Sequence, residues 1–283
     1  MDKISNLIKP SGEETNLSNE DYIKLQSQWY NEEVGNLNED DGINCPICKN
    51  KGNISYVENG HEYIKSCECM KSRNTYLRIL KCGITKETLD RYSMQKWKTD
   101  EEWQKSLLQK CREFFMDVRD KKGHWFVISG VSGSGKTHIC TALFKELITT
   151  FKLNGYYVLW NDEIPKLIAL RKSVASENQI KYENRINDLK NCDILYIDDL
   201  FKLDNRYKED SLSILYEIIN YRYMNNKIVL ISSEFEREKF KNTDMAIYGR
   251  IFEKSYKGFF WITVSGEEKN YRLKSDVEYE QIL

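Results

Sequence analysis

Residues 130–137 have the types and the spacing of a phosphate-binding loop in this 283-residue chain. They read Gly-Val-Ser-Gly-Ser-Gly-Lys-Thr, follow the apolar run 125–128 and open a second apolar segment at Ile139. A buried strand that leads into a glycine-rich turn and a helix directs backbone N–H groups and the positive helix end at phosphate oxygens. Lys136 would reach the β- and γ-phosphates, and the Thr137 hydroxyl would bind Mg²⁺. The segment predicts an ATP or GTP site contacted by Gly130, Ser132, Gly133, Ser134, Gly135, Lys136, Thr137 and His138.

Two consecutive acids follow a second apolar run, residues 193–197. This is the Walker B pattern, and open α/β sheets bind their ligands at the carboxyl ends of such strands. We expect Asp198 to hold Mg²⁺. Asp199 would orient or deprotonate the attacking water, because hydrolysis needs a base opposite the leaving diphosphate.

Further candidates follow the next predicted strand. Ser232 and Ser233 end that strand at the same sheet edge, and Ser233 is expected to sense the γ-phosphate, with capping of the next helix as the alternative. Arg250 lies on a predicted helix beyond it. An arginine there can stabilise the charge that develops on a neighbouring subunit's nucleotide. The alternative is a solvated surface arginine.

Four cysteines near the N-terminus form a C-x2-C and C-x-C set: Cys45, Cys48, Cys67 and Cys69. Four thiolates in two close pairs can bind one Zn²⁺ tetrahedrally. His61 could replace one thiol, but it lies in a predicted hairpin and is the weaker candidate. A closed site of this kind is structural and folds a segment too small to fold alone.

These residues are positioned by strands that alternate with helices. Five strands are predicted, over residues 125–128, 156–160, 193–198, 227–233 and 259–264. Helices are predicted over 163–170 and 177–190, and a third has the apolar face Leu212, Leu215, Tyr216, Ile219 and Tyr223. This order implies an α/β fold in which a five-stranded parallel sheet lies between helices.

The composition excludes some classes of protein. Basic and acidic residues number 43 and 44, so a nucleic-acid contact must come from a local patch. No apolar run is long enough to span a membrane, and residues 1–6 lack the apolar core of a signal peptide. We therefore expect a soluble cytoplasmic protein without a membrane partner. Eight cysteines in such a chain point to metal binding and buried thiols rather than to disulfides.

Three segments are expected. Residues 1–75 would form an N-terminal helix and the zinc-binding module, residues 76–100 a linker, and residues 101–283 the nucleotide domain. The helix, predicted from Ser18 to Val34, carries Tyr22, Leu25, Trp29 and Tyr30 on one face. That face could dock on a partner, or it could equally fold back on the zinc module.

One basic stretch could follow a single-stranded DNA backbone and stack a base. Its candidates are Lys166, Arg171, Lys172, Lys181, Tyr182, Arg185 and Lys190. Because acids are interspersed, a solvated helix face is the alternative for any one of them.

Together, five motifs resemble those of AAA+ ATPases, and more narrowly those of DnaC/DnaI-type helicase loaders and IstB-type transposition helpers. They are the phosphate-binding loop, the segment 197–200, the strand end 231–234, the segment 248–251, and Ser265-Gly266 followed by Tyr271-Arg272. The strand end departs from the family's Thr-Ser-Asn-like triplet, because Glu234 occupies the last position. The resemblance implies an AAA+ core without a C-terminal lid, nucleotide sensing by Arg272, and self-association through Arg250 acting in trans. It also implies zinc in the cysteine module and an N-terminal domain that holds a hexameric replicative helicase of the DnaB type.

On this basis, the expected function is ATP-dependent loading of that helicase onto single-stranded DNA during initiation of DNA replication, with ATP hydrolysis as the switch. Catalysis would involve Lys136, Asp198, Asp199 and Arg250. The alternatives are an IstB-like ATPase that assists a transposase and an adaptor that binds nucleotide without hydrolysing it.

Overall fold

The computed structural model describes residues 18–202 and 207–273, and the chain divides into two compact units between Leu77 and Arg78. Residues 1–17 of the predicted N-terminal segment, including the stretch examined for a signal peptide, lie outside the described residues, as do residues 274–283. In the described residues no helix is both long and apolar enough to cross a membrane.

The N-terminal unit is built around a two-stranded antiparallel sheet. Its elements are α1 (Asn19–Glu32), α2 (Leu37–Asp41), β1 (Asn53–Glu58), β2 (His61–Ser66) and α3 (Cys69–Lys81), the last of which continues past Leu77. Helix α1 begins where the Ser18 hydroxyl accepts the Asp21 N–H at 3.1 Å. Its Asn31 amide exchanges two hydrogen bonds with the Ser55 backbone, at 2.7 and 2.9 Å. The helix therefore packs on the hairpin of its own unit, the second of the two predicted arrangements, while Trp29 keeps 43% of its surface exposed.

The second unit is the predicted α/β fold. Its parallel sheet has the order β4-β5-β6-β3-β7, and the strands are β3 (Phe126–Gly130), β4 (Gly155–Leu159), β5 (Ile194–Asp198), β6 (Ile228–Ser233) and β7 (Trp261–Val264). The helices are α4 (Lys86–Arg91), α5 (Glu102–Arg119), α6 (Lys136–Thr150), α7 (Trp160–Lys172), α8 (Ser176–Asn191), α9 (Lys208–Met224), α10 (Arg237–Thr243) and α11 (Met245–Lys254). The five predicted strands are confirmed.

Helices cover both faces of this sheet, because consecutive strand residues point to opposite sides and both sides are apolar. On β3, Val127 packs with the core under α7, α8, α9 and α11, whereas Phe126 and Ile128 pack with the core under α4, α5 and α6. Because the five strands are parallel, their carboxyl ends lie at the same edge of the sheet, where the following loops can form a site.

The buried face of α9 differs from the predicted one. Leu215 and Ile219 are buried as expected, but Tyr216 is 40% exposed and the polar Ser211 and Arg222 are buried. Arg222 is tolerated there because its guanidinium donates to backbone carbonyls, including those of residues 189, 192 and 228. Hydrogen bonding, which a hydropathy pattern does not register, sets the orientation of this helix.

The predicted linker over residues 76–100 is wrong. The segment is largely helical, and its Cys82, Ile84 and Leu89 are buried in the core of the second unit. The Cys82 carbonyl accepts the N–H of Tyr157, in the edge strand β4, at 2.6 Å. This part of the chain belongs to the α/β fold and covers an edge of its sheet.

Candidate nucleotide and metal sites

The phosphate-binding loop joins β3 to α6, and residues from the C-terminal part of the α/β unit pack closely against it. A Cβ on Gly130, whose φ is +119°, would lie 2.0 Å from the Val264 carbonyl oxygen. A Cβ on Gly133, at φ +73°, would lie 1.9 Å from Asn270 Oδ1. At Gly130 the contacted atom is backbone and cannot move aside, and at both positions the positive φ favours glycine. The loop can therefore present its backbone N–H groups, with the start of α6, to an anion.

Lys136 and Thr137 occupy the first turn of α6. The buried Lys136 ammonium donates to the carbonyls of Gly130 at 3.0 Å and Val131 at 2.7 Å, and burial lowers the pKa of this lysine. The Thr137 hydroxyl donates to Asp198 Oδ1 at 3.2 Å. The predicted loop and the predicted acidic strand end therefore meet, and together they offer the hard oxygen ligands that Mg²⁺ prefers.

Asp198 lies at the end of β5 and is 2% exposed. Besides Thr137, three other hydroxyls donate to its carboxylate: those of Tyr196 at 2.8 Å, Tyr157 at 3.1 Å and Ser232 at a shorter distance. Four hydroxyl donors around one carboxyl group fix its orientation. Sequence reasoning missed both tyrosines. The available signal was that Tyr196 precedes Asp198 by two strand positions and so shares its face.

Asp199 follows with a left-handed φ of +53° and points into the cleft above the loop. Its N–H donates to Ser232 Oγ at 3.1 Å. Burial, and secondly the charge of Asp198, raise the pKa of this carboxyl group. A half-buried carboxylate of raised basicity suits the predicted role of orienting or deprotonating water.

Ser233 is not placed in the cleft, which corrects the sensor prediction. Its hydroxyl is fully buried, donates to the Leu200 carbonyl at 2.7 Å and accepts the Phe235 N–H at 3.1 Å. The two serines point to opposite sides of β6 because side chains alternate along a strand, so Ser232 faces Asp198. Ser233 instead stabilises the turn after the strand, as in the capping alternative.

Glu234 and Lys202 line the same cleft, although neither was predicted to be a site residue. Lys202 Nζ lies 3.1 Å from Glu234 Oε1 and 3.6 Å from Asp199 Oδ2. Burial alone would raise the pKa of Glu234, but hydrogen bonds from Ser132 and Lys202 lower it. Glu234, which departs from the family's strand-end triplet, is therefore paired with Lys202, a lysine four residues after Asp198.

Of the remaining predicted nucleotide contacts, three line the cleft and one is buried within the loop. Gly135, His138 and Arg272 line the cleft, and the His138 ring shares a hydrogen bond with the Ser93 carbonyl at 3.0 Å. Ser134 is buried, and its hydroxyl donates to the Val131 carbonyl within the loop at 2.8 Å.

Arg250 lies on α11 and contacts α9. Its guanidinium donates to Asn220 Oδ1 at 3.0 Å and to the Tyr216 hydroxyl at 3.1 Å, and its carbon lies 4.9 Å from the Tyr216 ring centre. The side chain is partly exposed and is held in a defined position by these contacts.

The four cysteines converge in the N-terminal unit. Their sulfurs all lie within 4.8 Å of one another, with Cys45 to Cys67 at 3.8 Å and Cys48 to Cys69 at 3.5 Å. Four sulfurs about 2.3 Å from a central Zn²⁺ would be about 3.8 Å apart, so the cluster fits the ion. His61 is the exposed first residue of β2 and is not part of the cluster.

Arg73, buried on α3, supports this cluster. Its guanidinium donates to both carboxylate oxygens of Asp41, at 2.5 and 2.6 Å, and to Asn50 Oδ1 at 3.0 Å, which also accepts the Cys45 N–H. Burial opposes the charge of Arg73, but Cys69 and Asp41 raise its pKa. A cation beside four thiolates would offset their surplus negative charge.

The predicted DNA-binding stretch is mostly paired internally. Four of its cations form ion pairs: Lys172 with Asp210, Lys181 with Glu177, Arg185 with Glu163, and Lys190 with Glu217. Tyr182 is buried and its hydroxyl donates to Glu217 at 3.3 Å, so the prediction that it stacks on a base is wrong. Lys166 and Arg171 are exposed.

Comparisons with known proteins agree with this geometry. The family described as IstB-like ATP binding protein matches residues 66–275. The phage-like element PBSX protein XkdC of Bacillus subtilis (strain 168) is 29% identical over 238 residues, which cover 81% of this chain and 86% of that protein. The replicative helicase loader DnaC of Buchnera aphidicola subsp. Baizongia pistaciae is 23% identical over 199 residues, covering 70% of this chain and 76% of that protein.

A solved structure of the DnaC helicase loader has the same fold, with a TM-score of 0.52 and 20% identity. The matched region covers 64% of this chain and 99% of the chain in the DnaC structure. Because the family match extends over most of the sequence and includes every cleft residue described above, the chain belongs to the family of IstB-like ATP binding proteins.

Proposed function

We propose that this protein is an ATP-dependent loader that places a hexameric replicative helicase on single-stranded DNA. The observation that carries the ATPase part is the meeting of Thr137 and Asp198 at 3.2 Å, with Lys136 and Asp199 on either side. The helicase as partner is supported by relatives named as replicative helicase loaders, which align with about 70% of the chain.

In the proposed cycle, Lys136 exchanges its two carbonyl partners for the β- and γ-phosphates. Thr137 and Asp198 hold Mg²⁺, which when bound would neutralise phosphate charge. Asp199 orients the attacking water and accepts its proton, for which its raised pKa is suited. The hydroxyls of Tyr157, Tyr196 and Ser232 keep Asp198 from rotating away.

Arg250 is proposed to complete a neighbouring subunit's site rather than its own. Its contacts with α9 leave the side chain partly exposed, and an arginine supplied in trans can raise the rate of phosphoryl transfer by orders of magnitude. Arg250→Ala should therefore leave ATP affinity unchanged. It should also lower the part of the hydrolysis rate that depends on self-association and increases with protein concentration. An undiminished rate would identify it as a surface residue.

The N-terminal unit is proposed to hold the helicase once Zn²⁺ is bound. Single-stranded DNA is proposed to bind the α/β unit near Arg171 and Lys172. Charge reversal at these two residues should weaken DNA binding and flatten its salt dependence, because fewer counterions would be released. Unchanged binding would remove this surface from the proposal.

Native mass spectrometry with the hexameric helicase tests the central claim, first with Mg-ATP and then with Mg-ADP. We expect a complex whose stability depends on the nucleotide, and we expect Lys136→Ala to abolish that dependence. Lys241→Ala, on the exposed side of α10, is the matched control and should retain it. No complex from folded, zinc-loaded protein would contradict the proposal.

The principal alternative is an ATPase that assists a transposase, since the family includes IstB-like proteins. It predicts tight binding to double-stranded DNA and filament formation. The four-cysteine unit favours the loader, because the resemblance to DnaC/DnaI-type loaders implies zinc in such a module. Steady turnover of ATP would exclude the other alternative, a non-hydrolysing adaptor.

A further inference from the structure

One ion pair in the nucleotide cleft has no role in the proposed cycle. Lys202 follows β5, Glu234 follows β6, and their charged groups are 3.1 Å apart. The Lys202 ammonium is also 3.6 Å from Asp199, the proposed water-orienting residue. If Asp199 acts beside the γ-phosphate as proposed, Lys202 would lie on the terminal-phosphate side of the cleft.

The two lysines of the cleft differ in how they are held. Lys136 is 6% exposed and donates to neutral carbonyls of the phosphate-binding loop. The Lys202 side chain is 47% exposed and is paired only with carboxylates among the described residues. A pair as solvated as this one contributes little to stability and can separate readily.

A terminal phosphate would compete directly for Lys202. It carries more negative charge than a carboxylate and offers three acceptor oxygens, so a nearby ammonium prefers it. Glu234 would still be bonded to Ser132 of the loop after losing Lys202. The departure of Lys202 would also leave Asp199 without its cationic neighbour and available to a water molecule.

We propose that Lys202 is a specificity-determining residue that exchanges Glu234 for the terminal phosphate of a nucleoside triphosphate. A diphosphate lacks the group that Lys202 would reach and leaves the Lys202–Glu234 pair closed. The cleft thereby distinguishes ATP from ADP through Lys202, which lies in the loop that follows β5. This inference rests on the proposed nucleotide site but not on helicase loading.

The test is calorimetric measurement of ATP and ADP affinity, with Mg²⁺, for the full-length zinc-loaded protein. Lys202→Ala should weaken ATP binding about tenfold or more, the size expected for a lost charge-assisted hydrogen bond, and leave ADP binding within about twofold. Lys202→Arg should restore the preference for ATP. Glu234→Gln should strengthen ATP binding, because Lys202 then leaves one carboxylate, Asp199, instead of two.

Lys241→Ala removes the same charge outside the cleft and should change neither affinity. Equal losses for ATP and ADP in Lys202→Ala, or no loss, would overturn the inference. Wild-type protein that binds both nucleotides equally would also overturn it while leaving the nucleotide site intact. Wild-type protein that binds neither would overturn both the inference and the proposed site.

Discussion

The nucleotide cleft and the four-cysteine cluster are built in opposite ways. The cleft collects side chains from the ends of β3, β5 and β6, which are held by a sheet with apolar cores on both faces. The buried apolar cluster around the cysteines consists of Cys45, Cys48 and Cys67, with Ile54 and Cys69 packed against it. In the first region the fold positions the ligands, whereas in the second the ligands themselves are the core.

The two regions also balance charge differently. In the described residues, the Asp198 carboxyl group accepts its side-chain hydrogen bonds from four neutral hydroxyl groups. The thiols have a buried cation, Arg73, beside them, and burial raises the pKa of Cys67 and Cys69. Burial makes ionised thiols costly at these two positions, and a bound metal ion would offset that cost.

Removal of zinc should have the largest effect and should affect one region only. Structural Zn²⁺ contributes about 10–16 kcal/mol of binding free energy in small domains at neutral pH. Hydrogen exchange after chelation should show lost protection over residues 45–69 and retained protection in β5. Added zinc should restore the first pattern. Full protection without metal would mean that the hairpin and helices suffice.

Lys136→Ala should abolish ATP binding without unfolding either region. The sheet does not depend on the ammonium, which bonds only to carbonyls of its own loop. Fluorescence titration with an ATP analogue measures the loss, and Lys241→Ala controls for the change of charge. A wild-type dissociation constant would remove the phosphate assignment.

Arg73→Gln should lower zinc affinity roughly 10–100-fold, the usual cost of losing a residue that supports metal ligands. The substitution removes the cation beside Cys69 and leaves Asp41 without its cationic partner. Competition with a chromophoric chelator measures the affinity. Lys71→Gln, an exposed residue of the same helix, is the control. Equal affinities for both variants would limit Arg73 to packing.

Tyr196→Phe should have the smallest effect. It removes one of four donors to Asp198, and a hydrogen bond of this kind contributes about 0.5–1.5 kcal/mol to the free energy of unfolding. Urea denaturation measures the change against Tyr221→Phe, whose exposed hydroxyl donates to Asn191. A loss well above this range would mean that the four donors act cooperatively.

The sequence predicts the cleft well where residue types at fixed spacing carry the chemistry. The glycines, Lys136, Thr137 and the paired acids belong to that class, as do the four cysteines. Tyr157 could not be found this way, because its contact with Asp198 depends on the pairing of β4 with β5. The choice between Ser232 and Ser233 depends on strand alternation, and a one-residue phase error reverses it.

The same limit explains the error in α9 and the omission of Lys202. Hydropathy favours Tyr216 over Arg222, but the buried position is decided by carbonyls from distant segments that only Arg222 can satisfy. Lys202 and Glu234 are ordinary charged residues in sequence, and their significance comes from the neighbouring positions of β5 and β6 in the sheet.

The backbone hydrogen bond from the Tyr157 N–H to the Cys82 carbonyl has a practical consequence for handling the protein. Strand β4 ends the sheet, and exposed strand edges promote intermolecular pairing. A recombinant fragment that begins at residue 101 would lose the segment that covers this edge, along with the buried Leu89. Such a fragment should aggregate during expression or concentration, whereas one that begins at residue 78 keeps its edge protected.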